Sequence, residues 1–293
     1  METYTIYLTA DCNCNCKYCY LLSGKMKLDN NKYSQESINS LLNKIIEKDK
    51  NFNIEFLGGE PTLEPDKIIN TIKYLESIPE VHVNSYIITT NGTLLSDSLL
   101  NFIKDTPNLI YQISIDGTKY FNQLRTLKTG ENTFDTVLKN IKKLNNINVN
   151  NDQIRIHITL HPYNIVGLYE SILKFIDFGI TYFVLGIIET TMKIDINFIK
   201  RTIIEMDKIS KFLIINELCN IININFFDSP QGIPGKSYVY DESGKNIIGE
   251  FQSSENKLEH SVSTKQSEEM NNIINNLRNN IYNIHQKNLN RMI

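Results

Sequence analysis

No apolar run in this sequence of 293 residues is long enough to span a bilayer, so no membrane-crossing helix is expected. An excess of charge of one sign is also missing: 30 basic residues face 33 acidic ones, a formal net charge of −3. That balance offers no electrostatic hold on nucleic acid or an anionic membrane surface. The first residues, Met1-Glu2-Thr3-Tyr4-Thr5, lack the basic stretch and following apolar stretch of a secretory signal. The five cysteines are too few and too bunched to staple a chain of this size, which excludes a disulfide scaffold. These absences together predict a cytoplasmic protein. A 41% hydrophobic share is that of an ordinary globular chain, enough for a sizeable core.

Four of the five cysteines sit in one segment, Thr9-Ala10-Asp11-Cys12-Asn13-Cys14-Asn15-Cys16-Lys17-Tyr18-Cys19-Tyr20. In a reducing compartment such a bunch reads as a metal site. Cys12, Cys16 and Cys19 make a C-x3-C-x2-C set. Three thiolates from one loop fill three corners of an iron–sulfur cubane and leave the fourth iron open to an outside ligand. The four-cysteine sites of electron carriers leave no such opening. Cys12, Cys14, Cys16 and Cys19 also suffice in number for tetrahedral zinc. Structural zinc sites, however, pair two knuckles at a distance, and no second knuckle is present. The cluster reading therefore leads. Cys14 alternates with the three and is expected to point away from them, as an incidental residue. Cys219 has apolar neighbours and is expected to be a buried thiol.

Around this loop, strands and helices alternate. Residues 3–9, 52–57, 81–89, 109–115, 154–160 and 181–188 are rich in β-branched and aromatic side chains and predict six strands. Apolar residues at helical spacing predict helices after Ser34, from Pro65, after Ser96, after Thr133, at 165–178 and at about 197–218. The alternation predicts an α/β fold with parallel pairing, either an incomplete barrel or an open sheet. In both, function belongs at the carboxyl ends of the strands. The cysteine loop, Gly58-Gly59-Glu60-Pro61, Thr90-Asn91-Gly92 and Asp116-Gly117 all fall there.

Each of these segments has a plain reading beside the functional one. Gly58 and Gly59 let a backbone approach a ligand closely, and Glu60 can accept a hydrogen bond from a cationic amine. The same residues also suit an ordinary strand-to-helix turn. Asn91-Gly92 and Asp116-Gly117 favour turns for local reasons. Arg125 offers a guanidinium for a carboxylate, or lies on the surface. Tyr18 stacks near an adenine ring, or simply packs. His157 and His161, on or just after the fifth strand, are expected to be packed histidines.

The cysteine loop with these rim segments resembles the radical S-adenosylmethionine (radical SAM) enzymes. Over about residues 3–188 it is most similar to the branch of anaerobic sulfatase-maturing enzymes and SPASM peptide maturases. The resemblance implies an incomplete TIM-like β/α barrel of about six parallel strands, with one [4Fe–4S] cluster on Cys12, Cys16 and Cys19. It implies S-adenosylmethionine on the open iron, cleaved by the reduced cluster to a 5′-deoxyadenosyl radical that abstracts hydrogen from a substrate. It further implies that Gly58, Gly59 and Glu60 hold the amino group of that cofactor, and that Ser114 and Asp116 lie near its ribose and methionine ends. Asn91, Arg125 and Tyr18 are further candidates for contact with it. A peptide or protein side chain is the expected substrate, and a reductase such as flavodoxin or ferredoxin the expected electron donor. A small-molecule substrate is the first alternative, and a non-catalytic metal-binding protein the second.

Composition shifts near residue 227, which divides the chain into a core barrel, 1–227, and a C-terminal extension, 228–293. Residues 229–235 read as a loop. Residues 237–240 and 246–248 flank Asp241-Glu242-Ser243-Gly244-Lys245 and predict a short hairpin. Residues 251–267 are polar and predict a linker. From Met270, apolar Met270, Ile274, Leu277, Ile281 and Ile284 predict a helix, with a seam too short for a coiled coil and suited to docking on the barrel. The related branch often carries auxiliary clusters in this region. No cysteine follows Cys219, so none is expected here.

Overall fold

The computed structural model describes residues 2–19, 21–22, 34–147, 149–188, 194–226, 237–240 and 264–291. Its core follows the predicted alternation: β1 (Glu2–Tyr7), α1 (Gln35–Lys48), β2 (Asn51–Leu57), α2 (Pro65–Glu76), β3 (His82–Thr90), α3 (Asp97–Asp105), β4 (Leu109–Ser114), α4 (Phe134–Asn146), β5 (Ile154–Leu160), α5 (Leu168–Asp177), β6 (Tyr182–Ile187) and α6 (Ile196–Ile215). Two short strands, β7 (Asn223–Ile224) and β8 (Ser237–Tyr240), and a long helix, α7 (Thr264–Asn290), complete it. The sheet order is β7-β6-β5-β4-β3-β2-β1-β8 and every pairing is parallel. Among the described residues β7 and β8 are not paired with each other, so the barrel is incomplete.

Period-two alternation sorts the side chains. On β2, Phe52, Ile54 and Phe56 are buried, and on β5 so are Ile154, Ile156, Ile158 and Leu160. These residues join Ile38, Leu42, Ile68 and Ile72 of the helices in one core. The opposite face is polar. Thr5 donates to Glu55 at 3.2 Å, Thr89 donates to Glu55 at 2.8 Å, and Gln112 donates to Thr89 at 3.0 Å, a chain of bonds across four strands. The barrel interior is thus lined by hydrogen-bonding groups, while the apolar core lies between sheet and helices.

Helix starts follow the expected capping at Ser34 and Ser96, whose hydroxyls accept from Ser37 N and Leu99 N, each at 3.2 Å. Thr133 departs from it. Its hydroxyl donates to Arg125 O at 3.3 Å, and Asn132 Oδ1 caps α4 by accepting from Phe134 N at 2.9 Å. The expected helix over 165–178 opens as a 3-10 turn, Ile165–Gly167, before α5.

The extension supplies the outermost strand. Residues 237–240 form it and pair in parallel with β1, Thr3 opposite Ser237 and Ile6 opposite Tyr240. The edge of β1 offers it a full row of backbone groups, and the partner strand of the expected hairpin would take the other edge of β8. The other half of that hairpin, the 229–235 loop and the linker over 251–263 lie outside the described residues. Helix α7 begins six residues before Met270 and docks as expected: Leu277 and Ile281 are buried, and Asn288 donates to Asp207 of α6 at 3.0 Å. Among the described residues, no helix is long and apolar enough to cross a membrane.

Candidate active site

The cysteine loop leaves β1 clamped on both sides. On one side the parallel ladder continues past the strands: Leu8 N donates to Leu57 O at 2.9 Å, Gly59 N to Thr9 O at 2.7 Å, and Glu60 N to Asp11 O at 2.8 Å. A Cβ on Gly58 would meet Thr9 O at 2.5 Å, and one on Gly59 would meet Asp11 O at 2.2 Å and Ala10 O at 2.5 Å. The close neighbour of these glycines is therefore the cysteine loop's own backbone. On the other side, Asn15 N donates to Thr126 O at 2.7 Å, Lys17 N to Leu124 O at 3.0 Å, and Lys128 N to Asn13 O at 2.9 Å. These bonds run antiparallel, with Cys14 bridged to Leu127.

This extended backbone corrects the expectation for Cys14. Residues two apart share a face in a strand, so Cys14 shares one with Cys16 rather than opposing it. Cys14 is buried, its N–H donates to Cys12 Sγ at 3.3 Å, and its thiol hydrogen-bonds with Cys12 and Cys16. Those bonds raise its own pKa and lower that of Cys12. Cys16 is held down to about 7, first by the Cys14 bond and then, against burial, by the charge of Arg125. Burial pushes Cys19 up. Three thiols on one loop are the donor set of an iron–sulfur cubane with one iron left open. Cys219 is half-buried rather than buried.

Glu60 is fully buried, and its carboxylate is filled from within the chain. Oε1 accepts from Thr62 N at 3.0 Å and from the Thr62 and Thr90 hydroxyls at 2.6 Å, and Oε2 accepts from Asn91 N at 2.7 Å. Burial raises its pKa against these four bonds. It locks the end of β2 to the end of β3. Asn91 extends the lock to the cysteine loop, donating from Nδ2 to Asn13 Oδ1 at 2.8 Å and to Cys12 Sγ at 3.8 Å. Glu60→Ala strands two backbone donors and two hydroxyls, and is expected to destabilise the protein by on the order of 3 kcal/mol, read by urea denaturation. Glu60→Gln, which keeps one acceptor oxygen, is expected to lose less.

Asp116 centres a second buried group. Burial alone would raise its pKa, but Arg125, His161 and Tyr18 hold it down to about 2. Oδ1 accepts from Arg125 Nε at 3.0 Å and from Thr159 N at 3.3 Å; Oδ2 accepts from Tyr18 OH at 2.5 Å and lies 3.6 Å from His161 Nε2. The Arg125 guanidinium lies 5.2 Å from the centre of the Tyr18 ring. Arg125 is thus a buried cation, not a surface one, and His161 belongs to the network. Asn122 and Asn164 were missed by sequence reasoning. Asn122 Oδ1 accepts from Asp116 N at 2.9 Å, and Asn164 Nδ2 donates to Asp116 O at 3.0 Å. In a chain so rich in asparagine, only their places just past β4 and β5 could have marked them.

Ser114 lies lower, in register with His157 on β5. His157 Nδ1 is buried without a hydrogen-bond partner among the described residues, and Gly186 beside it leaves room for the ring, a Cβ there standing 3.1 Å from Nε2. Burial, then the charge of Arg125, lowers the His157 pKa to about 4. Its folded-state pKa lies below the unfolded value near 6.5, so its neutral form costs nothing above about pH 6.5. Stability is lost as pH falls from there through about 4. Urea denaturation at a series of pH values is expected to show this loss, reduced in His157→Gln.

The comparisons with known proteins bear on family and fold. The profile of the Radical SAM superfamily matches residues 6–176, more than half of the chain. The chain is 31% identical over 181 residues to the uncharacterized protein MJ0907 of Methanocaldococcus jannaschii, covering 61% of this chain and 60% of that one. It is 30% identical over 149 residues to a cysteine-type anaerobic sulfatase-maturating enzyme of Clostridium novyi, covering 48% of this chain and 39% of that one. It therefore spans less than two thirds of the length of these curated relatives. Native anSMEcpe with bound AdoMet superposes with a TM-score of 0.70 at 16% identity, over 83% of this chain and 73% of that chain. Streptococcus suis SuiB bound to precursor peptide SuiA does so with a TM-score of 0.62 at 17% identity, over 87% of this chain and 61% of that chain. With three cysteines on the loop after the first strand of an incomplete barrel, and a superfamily match running from that strand into α5, the chain belongs to the radical SAM superfamily.

Proposed function

We propose that this enzyme holds a single [4Fe–4S] cluster on Cys12, Cys16 and Cys19 and uses S-adenosylmethionine to abstract hydrogen from a peptide or protein side chain. The observation that carries the reading is the cysteine loop clamped on both sides at the carboxyl rim. When bound, the cluster and S-adenosylmethionine supply the radical chemistry. The chain's own residues position and shield it. Gly58, Gly59 and Glu60 fix the turn that faces the cofactor's amino group, Glu60 through its bonds to Thr62, Thr90 and Asn91. Asn91 steadies Cys12. Ser114, Asp116 and Arg125 would lie near the cofactor's ribose and methionine ends, with Asp116 and Tyr18 holding Arg125 in place. The polar interior around Glu55, Gln112 and His157 receives the substrate.

Peptide chemistry is supported by relatives with such names: a sulfatase-maturating enzyme, and SuiB with its precursor peptide. We assign residues 1–227 to the catalytic barrel and 228–293 to an extension that covers the β1 edge and α6. A flavodoxin or ferredoxin in the cytoplasm is the electron source. The test is isotopic. The reduced enzyme is incubated with a perdeuterated peptide pool and, separately, a perdeuterated small-metabolite pool. Deuterium in 5′-deoxyadenosine from the peptide pool alone is the expected result. Label from the metabolite pool alone would replace the peptide reading with a small-molecule one.

A further inference from the structure

We propose that the Asp116–Arg125 pair sets the reduction potential of the cluster by acting on Cys16. This rests on the reading of Cys12, Cys16 and Cys19 as cluster ligands. The backbone register is the first observation. Asn15 N bonds Thr126 O, Lys17 N bonds Leu124 O, and Cys14 is bridged to Leu127, which sets Arg125 directly opposite Cys16. Opposed residues of an antiparallel pair project on the same face, with Cβ atoms about 4.5–5.5 Å apart. Arg125 therefore reaches the cluster side of the loop from a segment more than a hundred residues away in sequence.

The second observation is that the guanidinium is fixed and buried. Its Nε donates to Asp116 Oδ1 at 3.0 Å, its Nη2 to Thr159 Oγ1 at 3.4 Å, and its Cζ lies 5.2 Å from the centre of the Tyr18 ring. Its side chain is 10% exposed and that of Asp116 0%. Water therefore screens neither charge well.

The potentials of such clusters follow net charge, hydrogen bonds to sulfur and solvent exposure. Reduction adds one negative charge. A cation fixed beside a ligand sulfur stabilises the reduced state and raises the potential. Asp116 opposes it by partly neutralising that cation. The two residues therefore act with opposite signs, although both hold the same loop. A purely structural role predicts the same sign for both, since loosening the loop admits water in either case.

The experiment is an EPR-monitored redox titration of the full chain, reconstituted with iron and sulfide, without S-adenosylmethionine. Wild type is compared with Arg125→Gln, Arg125→Lys and Asp116→Asn. Arg125→Gln is expected to cut the reduced-to-oxidised ratio at the wild-type midpoint about tenfold, a midpoint about 59 mV lower. Asp116→Asn is expected to raise it by a similar factor, and Arg125→Lys to stay near wild type. Shifts of the same sign, or no shift, overturn the proposal. Should Arg125→Gln not load, Asp116→Asn decides against Arg125→Lys: a higher midpoint supports the proposal and an equal one overturns it. A wild-type chain that binds no cluster by iron and sulfide analysis overturns the ligand reading itself, a failure distinct from an unmoved potential.

Discussion

Gly59→Ala is expected to lower the melting temperature by roughly 6–12 °C and to leave the purified protein without iron. The added Cβ would stand 2.2 Å from Asp11 O and 2.5 Å from Ala10 O. Both are backbone atoms, so no rotamer relieves the clash and the cysteine loop itself must move. A cost of about 3 kcal/mol, at the upper end for overpacking, follows. The loop's register against Thr9 and Asp11 is lost with it, and the spacing of the ligand sulfurs too. Gly130→Ala is the control. Gly130 has φ +92° but nothing within 4 Å of its missing Cβ, so its substitution costs only the conformational term, about 1–2 kcal/mol, and keeps iron. Thermal denaturation with iron analysis separates the two.

Cys16→Ala is expected to lose the cluster completely, whereas Cys14→Ala keeps it. The two thiols share a face of the same loop, and Cys14 is the more deeply buried. Burial and proximity alone would make Cys14 the better ligand. The C-x3-C-x2-C set, however, leaves Cys14 outside the ligands, and its backbone N–H bond to Cys12 Sγ survives in Cys14→Ala. Iron, sulfide and visible absorbance should therefore match wild type in Cys14→Ala and vanish in Cys12→Ala, Cys16→Ala and Cys19→Ala. Equal loss in all four variants would mean a site closed by four thiolates, with no iron left open for S-adenosylmethionine.

Strands β1 to β6 were legible in the sequence to within a residue or two, because β-branched runs bounded by glycine and asparagine carry their own limits. β7 was not, since two residues leave no pattern. β8 was legible as a strand, but its pairing with β1 was not, because the open edge of β1 is a property of the assembled sheet. The rim was legible as a set of segments. Its wiring was not. Glu60 looked like a free acceptor because Thr90 and Asn91, which occupy it, lie on the next strand. Arg125 looked equally suited to the surface because only the pairing of residues 124–128 with 13–17 brings it to Cys16. Cys14 was misjudged for a local reason, its position two residues from two ligands.

This clamped loop is expected to carry a cluster competent to cleave S-adenosylmethionine. The direct measurement is 5′-deoxyadenosine formed by the anaerobically reconstituted, chemically reduced protein, beside Cys16→Ala. Formation by wild type and absence from the variant are the expected results. A wild-type protein that retains zinc in place of iron and forms no 5′-deoxyadenosine would contradict the cluster reading.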